Sequence, residues 1–338
     1  MEALTWTGDG IEVRDAEAPT LQGDGEALVR PVAVATCDLD FAMVVGATPF
    51  PAPIALGHEC VAEVVETGDA VRGLQAGALV SVPFQISCGE CEACRRDRTA
   101  NCRTVPPFSM YGFGEAGSNW GGFLSDAVRV PYAQHMLVPL PAGLDPAVVA
   151  SASDNIADAW RAVGPPLERE PGAAVLVMGG GGAGSIGLYA AAIAVALGSE
   201  RVVYVDAHEG RRAIAAGFGA ETEDRTGKRP GRFPVTVDSS GDAEQLMICL
   251  RSTEPDGICT STAIYFGDPP PVPLLEMYMK GTTFVTGRVH ARPAIPHVLR
   301  LAAEGKLHPG QVTTRVVDWH DAGAALAERD WTKLVFRR

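Results

Sequence analysis

The stretch AVLVMGGGGAGSIGLYAAAIAVALG, residues 174–198, decides the fold. Its first apolar residues do not alternate with polar ones and read as a strand buried on both faces; the Ala-rich run after the glycines reads as a long helix. RVVYVD (201–206) and EGRRAIAAGFGAE (209–221) repeat the pattern as a second buried strand and a second helix. Strands alternating with helices imply a parallel sheet, hence a doubly wound α/β domain. Glycines between strand and helix let the backbone approach a pyrophosphate, whose charge the helix N-terminus favours. Asp206 closes the second strand nineteen residues beyond Gly187, where a carboxylate accepts hydrogen bonds from adenosine ribose hydroxyls. The expected dinucleotide site is therefore Gly180, Gly182, Gly184, Ser185, Ile186, Gly187 and Asp206, with Arg211 as its cationic neighbour. A carboxylate at 206 repels a 2'-phosphate, which favours NAD over NADP, while Arg211 and Arg212 pull the other way. Two registers fit the glycines, GAGSIG (182–187) and GGGGAG (179–184), and a Gly-rich turn for another nucleotide is the plain alternative.

Upstream, to about residue 155, the texture differs. Short Val-rich runs, GEALVRPVAVAT (25–36), HECVAEVVETG (58–68) and GALVSVPF (77–84), are separated by Gly, Pro and Asp, the pattern of an antiparallel β domain. After Gly287, a helix (AIPHVLRLAAEGK, 294–306), a strand (TTRVV, 313–317) and another helix (DAGAALAERD, 321–330) are expected to return to that domain. The chain of 338 residues suits two domains. A formal charge of -13 would repel a phosphate backbone and an anionic membrane alike, which argues against nucleic acid as a partner. No apolar run is long enough to span a bilayer, and MEALTWTGDGIEV lacks the features of a signal peptide, so a soluble, cytoplasmic protein is expected.

Eight cysteines, half of them in SCGECEACRRDRTANC (87–102), suit a reducing compartment and thiolate metal binding better than a disulfide framework. Cys88, Cys91, Cys94 and Cys102 follow C-x2-C-x2-C-x7-C, which brings four thiolates around one tetrahedral ion. That describes a structural zinc site with no open position; an iron-sulfur cluster is the lesser alternative. Elsewhere, Cys37 and Asp40 in ATCDLD and His58 in GHE offer a thiolate and an imidazole for a second zinc, with Asp40 orienting the imidazole. By spacing alone a single Cys and a single His serve as packing residues just as well.

The run from GHECVAEVVETG through SCGECEACRRDRTANC, then GGFLSDAVRVPYA and the Gly-rich strand-turn-helix, resembles the zinc-dependent alcohol dehydrogenases of the medium-chain dehydrogenase/reductase superfamily over essentially the whole chain. VPFQISCGECEAC and ASASDNIADAW are most similar to its glutathione-independent formaldehyde dehydrogenase and threonine-dehydrogenase-like branch. The resemblance implies a catalytic zinc held by Cys37, His58 and Asp154, with Glu59 as an occasional ligand, and so two zinc ions per chain. It implies a GroES-like catalytic domain at 1–155 and 289–338, carrying a zinc lobe at about 88–102, around a Rossmann domain at 156–288, with the active site in the cleft between them. Lys333 matches a basic position that contacts the cofactor pyrophosphate, and TSTAIYFG and GTTFVTG resemble edge strands that pair in a homodimer, a tetramer being the alternative.

Three positions depart from the family. Leu39 and Ala42 stand where relatives carry the Ser or Thr and the His of a proton relay, leaving Asp38, Thr36 or solvent as substitutes. Asp158 replaces a Thr near the nicotinamide and either contacts substrate or caps the following helix. Cys60, Cys249 and Cys259 read as core thiols, and His135, His208, His290, His297, His308 and His320 as surface or loop residues; Trp120 either lines the substrate cleft or packs. The expected function is hydride transfer between NAD(H) and an alcohol, aldehyde or ketone. The alternatives are conjugate reduction of an alkene and a non-catalytic nucleotide-binding role.

Overall fold

The computed structural model describes every residue of the 338 apart from Gly181 and Arg329. The chain forms two compact units, one of residues 1–157, 289–304 and 313–338, the other of residues 158–288 and 305–312.

In the first unit a seven-stranded sheet runs in the order Arg315–Asp318, Leu334–Arg337, Ala27–Ala35, Glu59–Thr67, Leu79–Val82, Val138–Pro139, and Val128–Val130 also pairs with Ala27–Ala35. Pairing is antiparallel except between the two C-terminal strands. Pro31 has no N–H to give to this ladder, and the register with Glu59–Thr67 slips between Pro31 and Ala33, the irregularity that accommodates a proline inside a sheet. A smaller sheet of Ile11–Asp15, Glu2–Trp6 and Ile54–Ala55 completes the β structure, and the helix Ala291–Ala303 belongs to the same unit.

The second unit is a six-stranded, all-parallel sheet in the order Glu221–Glu223, Val202–Val205, Val175–Met178, Phe233–Asp238, Thr253–Ser261, Thr283–Thr286. The order reverses between Val175–Met178 and Phe233–Asp238, the switch point at which doubly wound sheets take their ligands. Val175–Met178 and Val202–Val205 are buried throughout, which is why neither alternates. Helix Ser185–Ala196 starts from Gly184 at φ +73°, and a Cβ on Gly187, in its first turn, would lie 3.5 Å from the Gly179 Cα. The helix start thus lies within GAGSIG.

Helix Asn155–Arg169 runs through Pro165 and Pro166, whose ring-fixed φ matches a helix even though each proline forfeits a backbone donor. One element differs from expectation. TSTAIYFG does not form an edge: its strand, Thr253–Ser261, stops where Ser261 turns its hydroxyl to Asp238, and Thr283–Thr286 from GTTFVTG is the outer strand.

Candidate functional site

In the first unit the ATCDLD sequence folds into the start of helix Asp38–Val44 with Cys37 as its N-cap. The Cys37 Sγ accepts from Leu39 N–H at 3.4 Å, and Asp40 Oδ2 reaches back to accept from Cys37 N–H at 2.7 Å, a capping box that fixes the thiol's direction. The other Asp40 oxygen faces His58 Nδ1 at 3.5 Å. His58 opens the strand region behind Gly57, whose φ of +91° and closeness to Leu124 N, 2.7 Å from any Cβ, exclude a side chain. Asp154 ends the short turn Ala150–Ser153 and brings Oδ2 to 3.6 Å from His58 Nε2. One ligand atom each from Cys37, His58 and Asp154 lies within 4.8 Å of the others, and all three residues are buried.

The donor set fits a metal ion. Tetrahedral bonds of zinc to nitrogen and oxygen put neighbouring ligand atoms about 3.3 Å apart, close to the observed 3.6 Å between His58 and Asp154. Both His58 ring nitrogens are buried without a hydrogen-bond partner, and coordination at Nε2 would relieve that costly state on the side facing Asp154. Burial, then Asp154, Glu59 and Asp40, push the Cys37 thiol well above its usual range, so its thiolate needs a cation beside it. Burial opposes charge on His58, but Asp40 first, then Asp154 and Glu59, outweigh it and hold the imidazole up at about 9.

Glu59 and Lys333 are fully buried behind this triad, Nζ to Oε2 at 3.0 Å, and Lys333 also donates to Thr36 O and Asn155 Oδ1. Its ammonium is thus turned inward. Burial lifts Glu59 to about 7, with Lys333 pulling it back. Sequence reasoning passed over Asn155, whose Nδ2 donates to Cys37 Sγ and to Asp154 Oδ2, both at 3.1 Å; its position next to Asp154 was the only available signal. The Thr36 hydroxyl accepts from Leu334 N–H at 3.0 Å, and Leu39 and Ala42 bring no proton-carrying group. Phe113 and Phe84 flank the His58 ring, with centroids 4.8 and 5.8 Å away.

Cys88, Cys91, Cys94 and Cys102 form a second convergent set. The Cys88–Cys94 and Cys91–Cys102 sulfur pairs are each 4.0 Å apart, against about 3.8 Å for the edge of a zinc–sulfur tetrahedron. N–H groups of Glu90 and Cys91 and the Thr104 hydroxyl donate to Cys88, and Arg103 N–H donates to Cys91. At Cys91 burial works against the thiolate, yet the Arg103 and Cys94 N–H groups bring it down to about 6. His135 and His290, expected at the surface, are half-buried and brace this lobe: His135 Nε2 meets Ser87 Oγ at 3.1 Å, and His290 Nδ1 accepts from Ala100 N–H. Trp120 lies under the Arg129 guanidinium at 5.5 Å, Cys60 is fully buried, and the Cys249 and Cys259 sulfurs sit 3.7 Å apart in the core of the second unit.

In the second unit Asp206 is fully buried and accepts from Tyr204 Oη, His208 N–H and, in a bidentate pair at 2.8 and 3.1 Å, from Arg211. Burial opposes its charge, but Arg211 and His208 hold its carboxyl below the usual range. Arg211 also reaches the carbonyls of Gly182 and Ala183, and Arg225, which sequence reasoning did not single out, donates to Gly179 O at 2.8 Å. Gly180 has φ +115°, and a Cβ there would run into Arg225. Asp158 is nearly buried and pairs with Arg161, which also holds Gly287 O.

Residues 23–142 match the model of the alcohol dehydrogenase GroES-like domain. The chain is 28% identical over 335 residues to a probable zinc-binding alcohol dehydrogenase of Mycobacterium tuberculosis, covering 97% of this chain and 85% of that one. It is 33% identical over 240 residues to a glutathione-independent formaldehyde dehydrogenase of Pseudomonas aeruginosa, covering 67% of this chain and 59% of that one. Among solved structures, an alcohol dehydrogenase from Thermus sp. ATN1 superposes with a TM-score of 0.91 at 27% identity, covering 100% of this chain and 99% of that chain. Domain, sequence and fold agree, and the chain belongs to the zinc-type alcohol dehydrogenases of the medium-chain dehydrogenase/reductase superfamily, a family of oxidoreductases.

Proposed function

We propose that this protein transfers hydride between NAD(H) and an alcohol, aldehyde or ketone, using a zinc ion held by Cys37, His58 and Asp154. The observation that carries the reading is the convergence of those three buried side chains, with both His58 nitrogens lacking a hydrogen bond. Held by these residues, zinc would supply Lewis-acid polarisation of an alcohol or carbonyl oxygen. The chain's own groups prepare the site. Asp40 faces Nδ1 and so leaves Nε2 for coordination, and the capping box keeps the Cys37 sulfur inward. Phe113 and Phe84 make the wall beside His58 apolar, which suits a substrate with a hydrocarbon body.

The cofactor is assigned to the turn of Gly180, Gly182, Gly184, Ser185, Ile186 and Gly187, with Asp206 and Arg211 at the adenosine ribose, and to NAD on the strength of the Asp206 carboxylate. Cys88, Cys91, Cys94 and Cys102 take the second, structural zinc. Residues 1–155 and 289–338 serve as the catalytic domain and 156–288 as the cofactor domain. A homodimer is assigned to the free edge strand Thr283–Thr286 and the neighbouring helix Leu274–Lys280, where Leu275 and Tyr278 are 75% and 82% exposed. None of the helices among the described residues is long and apolar enough to cross a membrane; the cytoplasm is the location we assign to the protein.

Metal content and turnover test the assignment together. The purified wild type should carry two zinc ions per chain, and Asp154→Ala should carry one and lose NAD-linked turnover on a panel of alcohols and carbonyls. Unchanged zinc and turnover in Asp154→Ala would overturn it.

A further inference from the structure

The residue that follows Asp154 is an asparagine, and its side chain touches two of the three proposed ligands at once. Asn155 Nδ2 donates to Cys37 Sγ and to Asp154 Oδ2, each at 3.1 Å. Its Oδ1 accepts from Lys333 Nζ at 2.6 Å, and its backbone N–H donates to Glu59 Oε1 at 3.3 Å. Asn155 and Lys333 are 1% and 0% exposed. The orientation of the amide follows from chemistry: an ammonium has only donors, so the carboxamide oxygen must face Lys333 and the NH2 must face the sulfur and the carboxylate.

We infer that Asn155 is the positioning residue of the catalytic metal centre, its amide clamping the Cys37 thiolate and the Asp154 carboxylate in one geometry while Lys333 holds the amide in register. The inference rests on the zinc site proposed above. A donor to a metal-bound thiolate lowers the energy of the sulfur lone pairs, so the residue adjusts how strongly sulfur gives electrons to the metal as well as where the sulfur sits. Lys333 reaches the metal ligands through Asn155 and, on its other side, pairs with Glu59. Loss of an outer hydrogen-bond partner of this kind costs about 10- to 100-fold in metal affinity.

The test uses the full-length protein as wild type, Asn155→Leu, Asn155→Asp and Cys37→Ser. Leucine keeps the size and removes every polar contact of the side chain; aspartate keeps an oxygen for Lys333 but replaces the N–H donors by a second, negatively charged oxygen facing the sulfur and the Asp154 carboxylate, so the two substitutions abolish the clamp by different means. One readout is the rate at which zinc passes to a chromogenic chelator, and the other is the sulfur-to-metal charge-transfer band after exchange with cobalt(II). Cys37→Ser identifies the phase and the band that belong to this centre. Both Asn155 variants should lose that zinc about 10- to 100-fold faster, shift the Cys37-dependent band to longer wavelength and leave the zinc of the cysteine lobe unaffected. If wild type and Cys37→Ser have equal metal content and equal spectra, the metal-site reading itself fails. If Cys37→Ser removes the band but both Asn155 variants keep the wild-type band and release rate, the site stands and the role of Asn155 is refuted.

Discussion

Replacing Lys333 by methionine removes the cation paired with Glu59 and leaves a carboxylate with no exposed surface. Breaking a buried pair from one side costs about 3–5 kcal/mol, because the remaining charge stays out of water without compensation. Glu59 has one escape, which is to take up a proton. Burial already lifts it from 4.5 to about 7 with Lys333 in place, and without the ammonium it must rise further. An acid whose pKa is higher folded than unfolded binds more protons in the native state, so it subtracts stability as the pH rises above its unfolded value. In the wild type that loss levels off once the pH passes the folded value of about 7. In Lys333→Met it continues, so the penalty grows by about 1.4 kcal/mol for each pH unit above neutrality and shrinks below it. Urea unfolding followed by tryptophan fluorescence reads this out, since Trp6, Trp120, Trp319 and Trp331 all lie in the first unit. Adding Glu59→Gln to Lys333→Met removes the stranded charge and should restore at least half of the loss at pH 8. A penalty under about 1 kcal/mol at pH 8, or one that does not change between pH 6 and pH 8, would refute the reasoning, since an unpaired buried charge must produce both.

Zinc uptake at the Cys37 centre should release protons at neutral pH: His58, held up at about 9, and Cys37, raised further by burial, are both protonated in the metal-free protein and must deprotonate to bind. At pH 7.5 a pH-indicator titration of chelator-stripped protein should therefore show about two more protons per chain for wild type than for Cys37→Ser, with affinity falling as the pH is lowered; equal release in the two proteins would contradict it. Gly57→Ala forces a side chain onto φ +91° and against Leu124 N, at a cost of about 1–3 kcal/mol from backbone strain. It should also displace His58 and so lower zinc retention, which metal analysis after dialysis checks.

What the sequence disclosed and what it withheld follow from how far each signal reaches along the chain. The parallel sheet was legible because a strand buried on both faces must be apolar without alternation, and VLVM at 175–178 and VVYV at 202–205 have no other good reading. The family resemblance was carried by glycines and cysteines whose spacing is local. The glycine register was not legible because both candidate runs have the same pattern; where the helix begins, at Ser185, is visible only in three dimensions. Cys37, His58 and Asp154 are separated by 21 and 96 residues, so spacing alone could not join them, and only the family resemblance brought the three together before the chain was folded. The residues behind them were hidden for a further reason. Asn155 and Lys333 are polar side chains that a sequence reading assigns to surface or cofactor, because isolated polar groups are expensive to bury. They are affordable inside only as a set: Lys333 neutralises Glu59, Asn155 spends its oxygen on Lys333, and its NH2 then has nowhere to go but the thiol and carboxylate in front. A buried polar network of this kind is legible only once all its members are in place, because each residue is intelligible only through the partner that satisfies it. The same dependence makes the network a sharp test of the site. A substitution at any one member should be felt at the Cys37 sulfur, although among the described residues only Asn155 is seen to donate to it from a side chain.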